Sequence, residues 1–170
     1  MSGVNIEIER KYIIVKPCED VLRSQRDFTE SEIVQIYLPA VARQTRRVRR
    51  RAYGDRVDYI ETRKIRIDKM SVTEIERDIT EEEFIELSKM AAEGTHPVRK
   101  RRYTFTHGAR TLELDFYPEW EHTCIMETEL PDRETVVELP EFIKVVREVT
   151  GIKEYSNAAM SHAFPTEDKI

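Results

Sequence analysis

Asn5-Ile6-Glu7-Ile8-Glu9-Arg10-Lys11, continued by Tyr12-Ile13-Ile14-Val15, is the stretch on which the fold turns. In an extended strand alternate side chains face opposite ways, so Glu7, Glu9 and Lys11 share one face while Ile6, Ile8, Arg10 and Tyr12 take the other. An ordinary half-buried strand would turn its apolar residues to the core and leave its charges in water. Repetition of the pattern in other strands demands a different account.

The pattern repeats. Residues 31–38, rich in β-branched and aromatic side chains and ended by Pro39, are a predicted strand. Residues 46–52 and 57–68 are predicted to pair across Tyr53-Gly54-Asp55, where glycine supplies the positive φ of a tight hairpin. Strands follow over residues 71–79, over 98–107 and 109–117 around Gly108, and over 123–130. Taking one alternate face of each collects Glu7, Glu9 and Lys11; Arg47, Arg49 and Arg51; Thr62, Lys64 and Arg66; Glu74 and Glu76; Lys100 and Arg102; Glu113 and Asp115; Glu127 and Glu129. The opposite faces hold apolar material such as Leu112, Leu114 and Phe116. An isolated surface ion pair contributes only about 0–1 kcal/mol, so stability does not explain so many charges in register.

A sheet curled into a closed antiparallel barrel does explain them, with the charged faces converging on a wet lumen and the apolar faces pointing outward. The bases would then repel one another unless an anion lay between them, and the acids would need cations. A polyphosphate with a divalent metal meets both needs. Glutamate and aspartate oxygens without clustered Cys or His select Mg²⁺ or Mn²⁺ over zinc. The fold class expected is α+β, an eight-stranded antiparallel barrel with helices packed outside.

The helices are read from caps and period. Thr80-Glu81-Glu82-Glu83 is a capping box opening a helix over residues 81–93, with Phe84, Leu87, Ser88 and Ala91 inward and Gly94 closing it. Residues 18–26 suit a short helical turn. Residues 140–150 read as a second helix, with Phe142, Ile143, Val146 and Val149 on its apolar side and Gly151 at its end. The tail is expected to add a short helix over residues 157–163 before it loosens.

The chain's 170 residues suit a single domain. A net charge of −5 hides segregation, because residues 43–51 carry six arginines whereas residues 74–86 are mostly acidic. That balance argues against general nucleic-acid affinity and for a local anionic partner. Cys18 and Cys124 have no metal-type spacing, and a reduced chain is the simpler reading, although a disulfide between them stays open. No leader-like start and no run of 18 apolar residues is seen, so a cytoplasmic protein without a membrane partner is expected.

These residues resemble the CYTH proteins, or triphosphate tunnel metalloenzymes. Glu7-Ile8-Glu9-Arg10-Lys11 is similar to their Glu-x-Glu-x-Lys signature, and Gln35-Ile36-Tyr37-Leu38 to the Gln-x-Tyr-Leu strand of bacterial members. Arg47-Val48-Arg49, Thr62-Arg63-Lys64, Glu74-Ile75-Glu76, Lys100-Arg101-Arg102-Tyr103, Glu113-Leu114-Asp115 and Glu127-Thr128-Glu129 follow in the family's order, then Glu148-Val149-Thr150 and Tyr155-Ser156-Asn157. Two departures stand out: Glu154 replaces the basic residue that often precedes the late tyrosine, and residues 46–51 offer several Arg-x-Arg registers.

The resemblance implies a tunnel that holds a triphosphate. Lys11, Arg47, Arg49, Lys64 and Arg102 would contact phosphate oxygens, with Lys100 as a second-rank candidate for the same role. Asp115, Glu127 and Glu129 would hold a first metal; Glu7 and Glu9 would hold a second or orient and deprotonate a water. Glu74, Glu76 and Glu113 are expected to pair with the arginines rather than to act as metal ligands through water. The opening lacks the His-Phe pair of cyclase-type members, which favours hydrolysis of inorganic tripolyphosphate, with nucleoside triphosphates as weaker substrates. The other readings are a class IV type adenylate cyclase, a thiamine triphosphatase, and a non-catalytic polyphosphate- or RNA-end-binding module. An apolar outer face left uncovered by so few helices suggests a homodimer.

Overall fold

The computed structural model describes residues 3–169. Nine strands are present: β1 (Gly3–Val15), β2 (Thr29–Leu38), β3 (Gln44–Tyr53), β4 (Arg56–Arg66), β5 (Ser71–Asp78), β6 (Val98–His107), β7 (Arg110–Phe116), β8 (Thr123–Glu129) and β9 (Val145–Glu148). Their order is β5-β4-β3-β2-β6-β7-β8-β1-β9, and β5 also pairs with β1. That last pairing closes eight antiparallel strands into a barrel, with β9 added to the outside of the ring, as the repeated charged face requires.

β1 serves two partners on one edge. Gly3 to Ile8 pair with β5, and beyond Ile8 the vacated edge is taken by β9 over Tyr12 to Ile14. Here the structure corrects the sequence reading, which placed a helix over residues 140–150. Helical and strand periods are hard to separate in so short an apolar run. The open amides and carbonyls of β1 decide it: Val149 N–H donates to the Lys11 carbonyl at 2.8 Å, Val15 N–H donates to the Lys144 carbonyl at 3.0 Å, and the Lys11 N–H finds Thr150 Oγ1 at 3.0 Å. Unpaired backbone groups cost more than the helix would return.

The helices are α1 (Glu19–Arg23), α2 (Glu81–Ser88) and α3 (Asn157–His162). The capping box of α2 forms as expected, with Thr80 Oγ1 accepting from Glu83 N–H and the Glu83 carboxylate accepting from Thr80 N–H. α2 nevertheless stops at Ser88 rather than at residue 93, because the Tyr37 carbonyl captures the Ala92 N–H at 2.9 Å. Gly94, at φ 74°, closes the turn that follows instead of the helix.

Three apolar clusters surround the lumen. Tyr12, Ile14, Tyr103, Phe105, Leu112, Leu114 and Met126 pack outside β1 and β6–β8 beneath Leu22 and Ile143. Phe84 and Leu87 of α2 cover Leu38, Val48 and Ile79. The third cluster lies at the ends of the charged faces: Ile13, Tyr37, Val98, Tyr117 and Ile125 share those faces by register, and they pack with Trp120, Val149, Tyr155 and Met160. So the lumen is apolar where the segment before α3 crosses it. No helix among the described residues is long and apolar enough to cross a membrane.

Beyond α3 the described residues Pro165 and Glu167 are anchored to the loop before β8. Trp120 Nε1–H donates to the Pro165 carbonyl at 2.8 Å, and the Glu167 carboxylate accepts the backbone N–H groups of Glu121, His122 and Thr123. Trp120 is accordingly a buried packing residue.

Candidate functional site

The barrel encloses a cavity of about 1030 Å³ lined by Glu7, Glu9 and Lys11 of β1, Arg47, Arg49 and Arg51 of β3, Lys64 and Arg66 of β4, Glu74 and Glu76 of β5, Arg102 of β6, Glu113 of β7, and Glu127 and Glu129 of β8. Strand alternation puts them there, and β3 shows how the register is chosen. Arg47, Arg49 and Arg51 pair across β2 with Tyr37, Gln35 and Ile33. The other face carries Arg46 and Val48. Val48 is fully buried in the cluster covered by α2, and Arg46 bonds Glu61 at 2.6 Å in a chain that runs through Arg77 to Glu83. Burying Val48 therefore turns the odd-numbered arginines inward, since a slip of one residue would bury charges under the helix.

The bases inside differ in how they are satisfied. Lys64 sits between Glu7 at 2.9 Å and Glu74 at 2.8 Å, and Lys11 meets Glu127 at 2.7 Å. Arg102 is held by Asp115, Glu113 and Glu127. By contrast Arg47, Arg49 and Arg51 each have a buried Nε–H without a hydrogen-bond partner among the described residues, as does the fully buried carboxamide of Gln35 beside them. Arg49 pairs with Glu76 at 3.5 Å, and Glu76 also accepts from Thr62 Oγ1–H at 2.9 Å. Glu76 and Glu113 thus pair with arginines as expected, whereas the partner of Glu74 is Lys64.

The charges perturb one another. Burial lowers Arg49 to about 10, helped by the cation of Arg47. Burial also works against the charge on Lys64, but the carboxylates of Glu74, Glu7 and Glu9 outweigh it and hold Lys64 above the ordinary lysine value. Glu7 is pushed up to about 7 by burial, against the pull of Lys64. Burial raises Glu129 too, and the neighbouring carboxylates Glu113, Glu74 and Glu9 add to the rise. Glu127 goes the other way: burial opposes its charge, yet Lys11 and Arg102 hold its carboxyl below the usual range. Glu9 and Glu129, which face each other across the β1–β8 ladder, make no ion pair among the described residues.

Two residues expected in the lumen stand behind its wall. Lys100 and Asp115 belong to the inward faces of β6 and β7, but neither lines the cavity; their side chains are 1% exposed and bond each other at 2.5 Å. Burial lowers Lys100 to about 8, with Asp115 opposing the fall. Other lining residues escaped sequence reasoning. Lys69, His162 and the backbone around Gly151 come from turns and the tail, where no strand period marks them. Lys153 also lines the cavity, whereas Glu154 does not. Tyr103 and Tyr155 are buried in apolar clusters, and Cys18 and Cys124 are both free thiols.

No protein-family model and no curated protein matches the chain. Solved structures do. The inorganic triphosphatase NE1496 is 23% identical over 94% of this chain and 96% of its own, with a TM-score of 0.58. The PH1819 protein from Pyrococcus horikoshii OT3 is 22% identical over 75% and 80%, also at a TM-score of 0.58. A putative adenylate cyclase from Vibrio parahaemolyticus is 14% identical over 74% and 78%, at 0.50. The chain has the CYTH fold. At these identities the likeness extends to the fold alone, and the CYTH barrel supplies the frame on which this chain's own side chains must be read.

Proposed function

We propose that the cavity binds inorganic tripolyphosphate and hydrolyses one of its phosphoanhydride bonds with the help of Mg²⁺ or Mn²⁺. The observation that carries this reading is the row Arg47, Arg49 and Arg51, whose buried Nε–H donors have no hydrogen-bond partner among the described residues and which face the same space as Glu9 and Glu129. Guanidinium groups crowded this way match a ligand with many anionic oxygens held several at a time. Among the described lining residues Tyr37 and His162 carry the only rings, so those residues do not offer the stacked aromatic faces that a nucleobase ordinarily finds. That favours a wholly inorganic substrate over ATP or thiamine triphosphate.

The donor set fits a hard divalent cation. Glu9 and Glu129 would hold it, with Glu7 and Glu127 adjoining. Two carboxylates can suffice for Mg²⁺, an ion that keeps waters and takes substrate oxygens for its remaining positions. A bound metal would neutralise charge on the phosphate oxygens as the anhydride breaks. The protein's own groups do the rest. Arg47, Arg49, Lys64, Lys11 and Arg102 hold the chain of phosphates in line, and Glu7 or Glu9 orients a water and takes its proton. The water oxygen bonds to the terminal phosphorus while the bridging oxygen leaves with pyrophosphate.

The test is orthophosphate release from tripolyphosphate with each metal, in wild type and in Glu127→Gln. Turnover in wild type that is lost in the variant supports the reading. Tight binding without turnover in wild type would make the protein a polyphosphate-binding module, and cyclic AMP plus pyrophosphate formed from ATP would make it a cyclase.

A further inference from the structure

The Lys100–Asp115 pair, sealed off from the cavity, invites a role other than metal or substrate contact. Asp115 is fully buried and accepts three charge-assisted hydrogen bonds: from Lys100 Nζ at 2.5 Å, from Arg102 Nε at 2.7 Å and from Arg102 Nη2 at 2.8 Å. The two bonds from Arg102 form a side-on fork that fixes the plane of its guanidinium. They also use up one edge of it, leaving Nη1 as the corner directed elsewhere. In this structure Nη1 pairs with Glu113, a carboxylate that is 35% exposed, while Nη2 additionally reaches Glu127 at 3.4 Å. With its carboxylate oxygens so engaged, Asp115 has no oxygen directed into the cavity.

Charge explains why a lysine belongs there. A carboxylate forked onto Arg102 alone would cancel it and leave a neutral pair facing an anion. With Lys100 on the far side the trio keeps one net positive charge, and Arg102 is the only member on the cavity wall. Lys100 also lies 5.8 Å from the ring of Tyr117, a residue that does not line the cavity. We propose that Asp115 and Lys100 are positioning residues: Asp115 fixes Arg102 so that Nη1 presents to the substrate, Lys100 restores the charge that Asp115 removes, and Glu113 is the placeholder that a phosphate oxygen displaces. This rests on the tripolyphosphate reading for the identity of the anion, though not for the geometry of the trio.

The experiment uses three variants of the full chain: Lys100→Met, Asp115→Asn and the double Lys100→Met/Asp115→Asn. Binding is measured by calorimetry with tripolyphosphate in metal-free buffer, and folding by circular dichroism. Lys100→Met should weaken binding about tenfold, through loss of the positive charge that offsets Asp115 beside Arg102. The double variant removes both charges of a buried pair, the kind of replacement that folds well, and should bind more tightly than Lys100→Met alone. A structural role alone, or a metal-ligand role for Asp115, predicts that the double variant is no better than the single. In addition, a ligand role for Asp115 predicts a raised Mg²⁺ requirement for turnover in Asp115→Asn that the second change does not mend. Either result overturns the proposal.

A second readout does not depend on the substrate. In ¹⁵N NMR the Arg102 Nε–H should be downfield and slow to exchange in wild type and should lose both properties in the double variant. If wild type binds no tripolyphosphate but shows this signature, the substrate reading fails and the positioning of Arg102 stands. An Arg102 Nε–H in fast exchange in wild type would refute the positioning itself.

Discussion

Replacing Arg49 by methionine should make the ligand-free protein more stable while weakening its hold on the anion. Arg49 is held at about 10, below the ordinary guanidinium value, by burial and by the neighbouring cation of Arg47. At 1.36 kcal/mol per pH unit that fall corresponds to ~3 kcal/mol of unfavourable free energy in the charged form. The gain on removing it is smaller. The variant gives up the 3.5 Å contact with Glu76, which keeps its bond from Thr62, and a side chain 11% exposed retains some hydration. A net gain of ~1–2 kcal/mol is expected, or about 3–6 °C in Tm for a chain of this size. The sign with pH follows from a base whose folded-state pKa is depressed. The penalty is fully present below about 10, so the variant's advantage should be flat through neutral pH and shrink as pH rises above that value. Ligand reverses the ranking. Tripolyphosphate at one hundred times its dissociation constant stabilises wild type by about 2.7 kcal/mol, and losing a charged hydrogen bond worth ~1.5–3 kcal/mol should remove most of that gain from Arg49→Met. The assay is urea denaturation in metal-free, phosphate-free buffer with and without tripolyphosphate. A ligand-free variant less stable than wild type would refute the reasoning, because it would mean that the arginine row is satisfied without an anion.

Three further outcomes can be measured directly. Lys64→Ala should leave the fold intact but raise KM and lower turnover, because Lys64 bridges Glu7 and Glu74 at the cavity wall; unfolding of this variant in circular dichroism would show it to be a structural tie instead. Gly151→Ala should cost ~1–3 kcal/mol in urea denaturation, since a Cβ there would lie 2.8 Å from the Lys69 carbonyl oxygen at a φ of +70°; an unchanged midpoint would mean that the turn is free to move off Lys69. Glu167→Gln should cost about 1 kcal/mol at neutral pH, a figure discounted for partial exposure. Although burial opposes its charge, the Thr123 hydroxyl and three backbone N–H groups lower Glu167 from 4.5 to about 2. Its contribution is therefore present above 4.5 and lost as pH falls toward about 2, so the two proteins should converge in stability in acid. A gap that persists at low pH would show that the anchor does not depend on the charge.

Strands β1 to β8 were legible in the sequence because alternation survives whatever the tertiary context: the charged face of Glu7, Glu9 and Lys11 recurs on every strand but β2, whose inward face carries Ile33, Gln35 and Tyr37. The lining residues outside the strands were less legible, since Lys69 and His162 follow no strand period and reach the cavity from a turn and from α3. β9 was misread for a related reason. Val145 and Val146 suit either a helix or a strand, and the choice belonged to the edge of β1, more than a hundred residues away in the chain.

By itself, then, the sequence determined that the charges share a face, that acids and bases balance along it, and that a closed barrel is the economical way to bury them together. Tertiary structure decided which of them meet the ligand space. Arg47 faces inward and Arg46 outward because Val48 must lie under α2. Lys100 and Asp115, indistinguishable by pattern from Lys64 and Glu127, are withdrawn from the cavity because Asp115 lies opposite Arg102 in the β6–β7 ladder and Lys100 bonds it beside the Tyr117 ring. Alternation specifies a face; how far along the strand that face stays wet depends on what packs against its end.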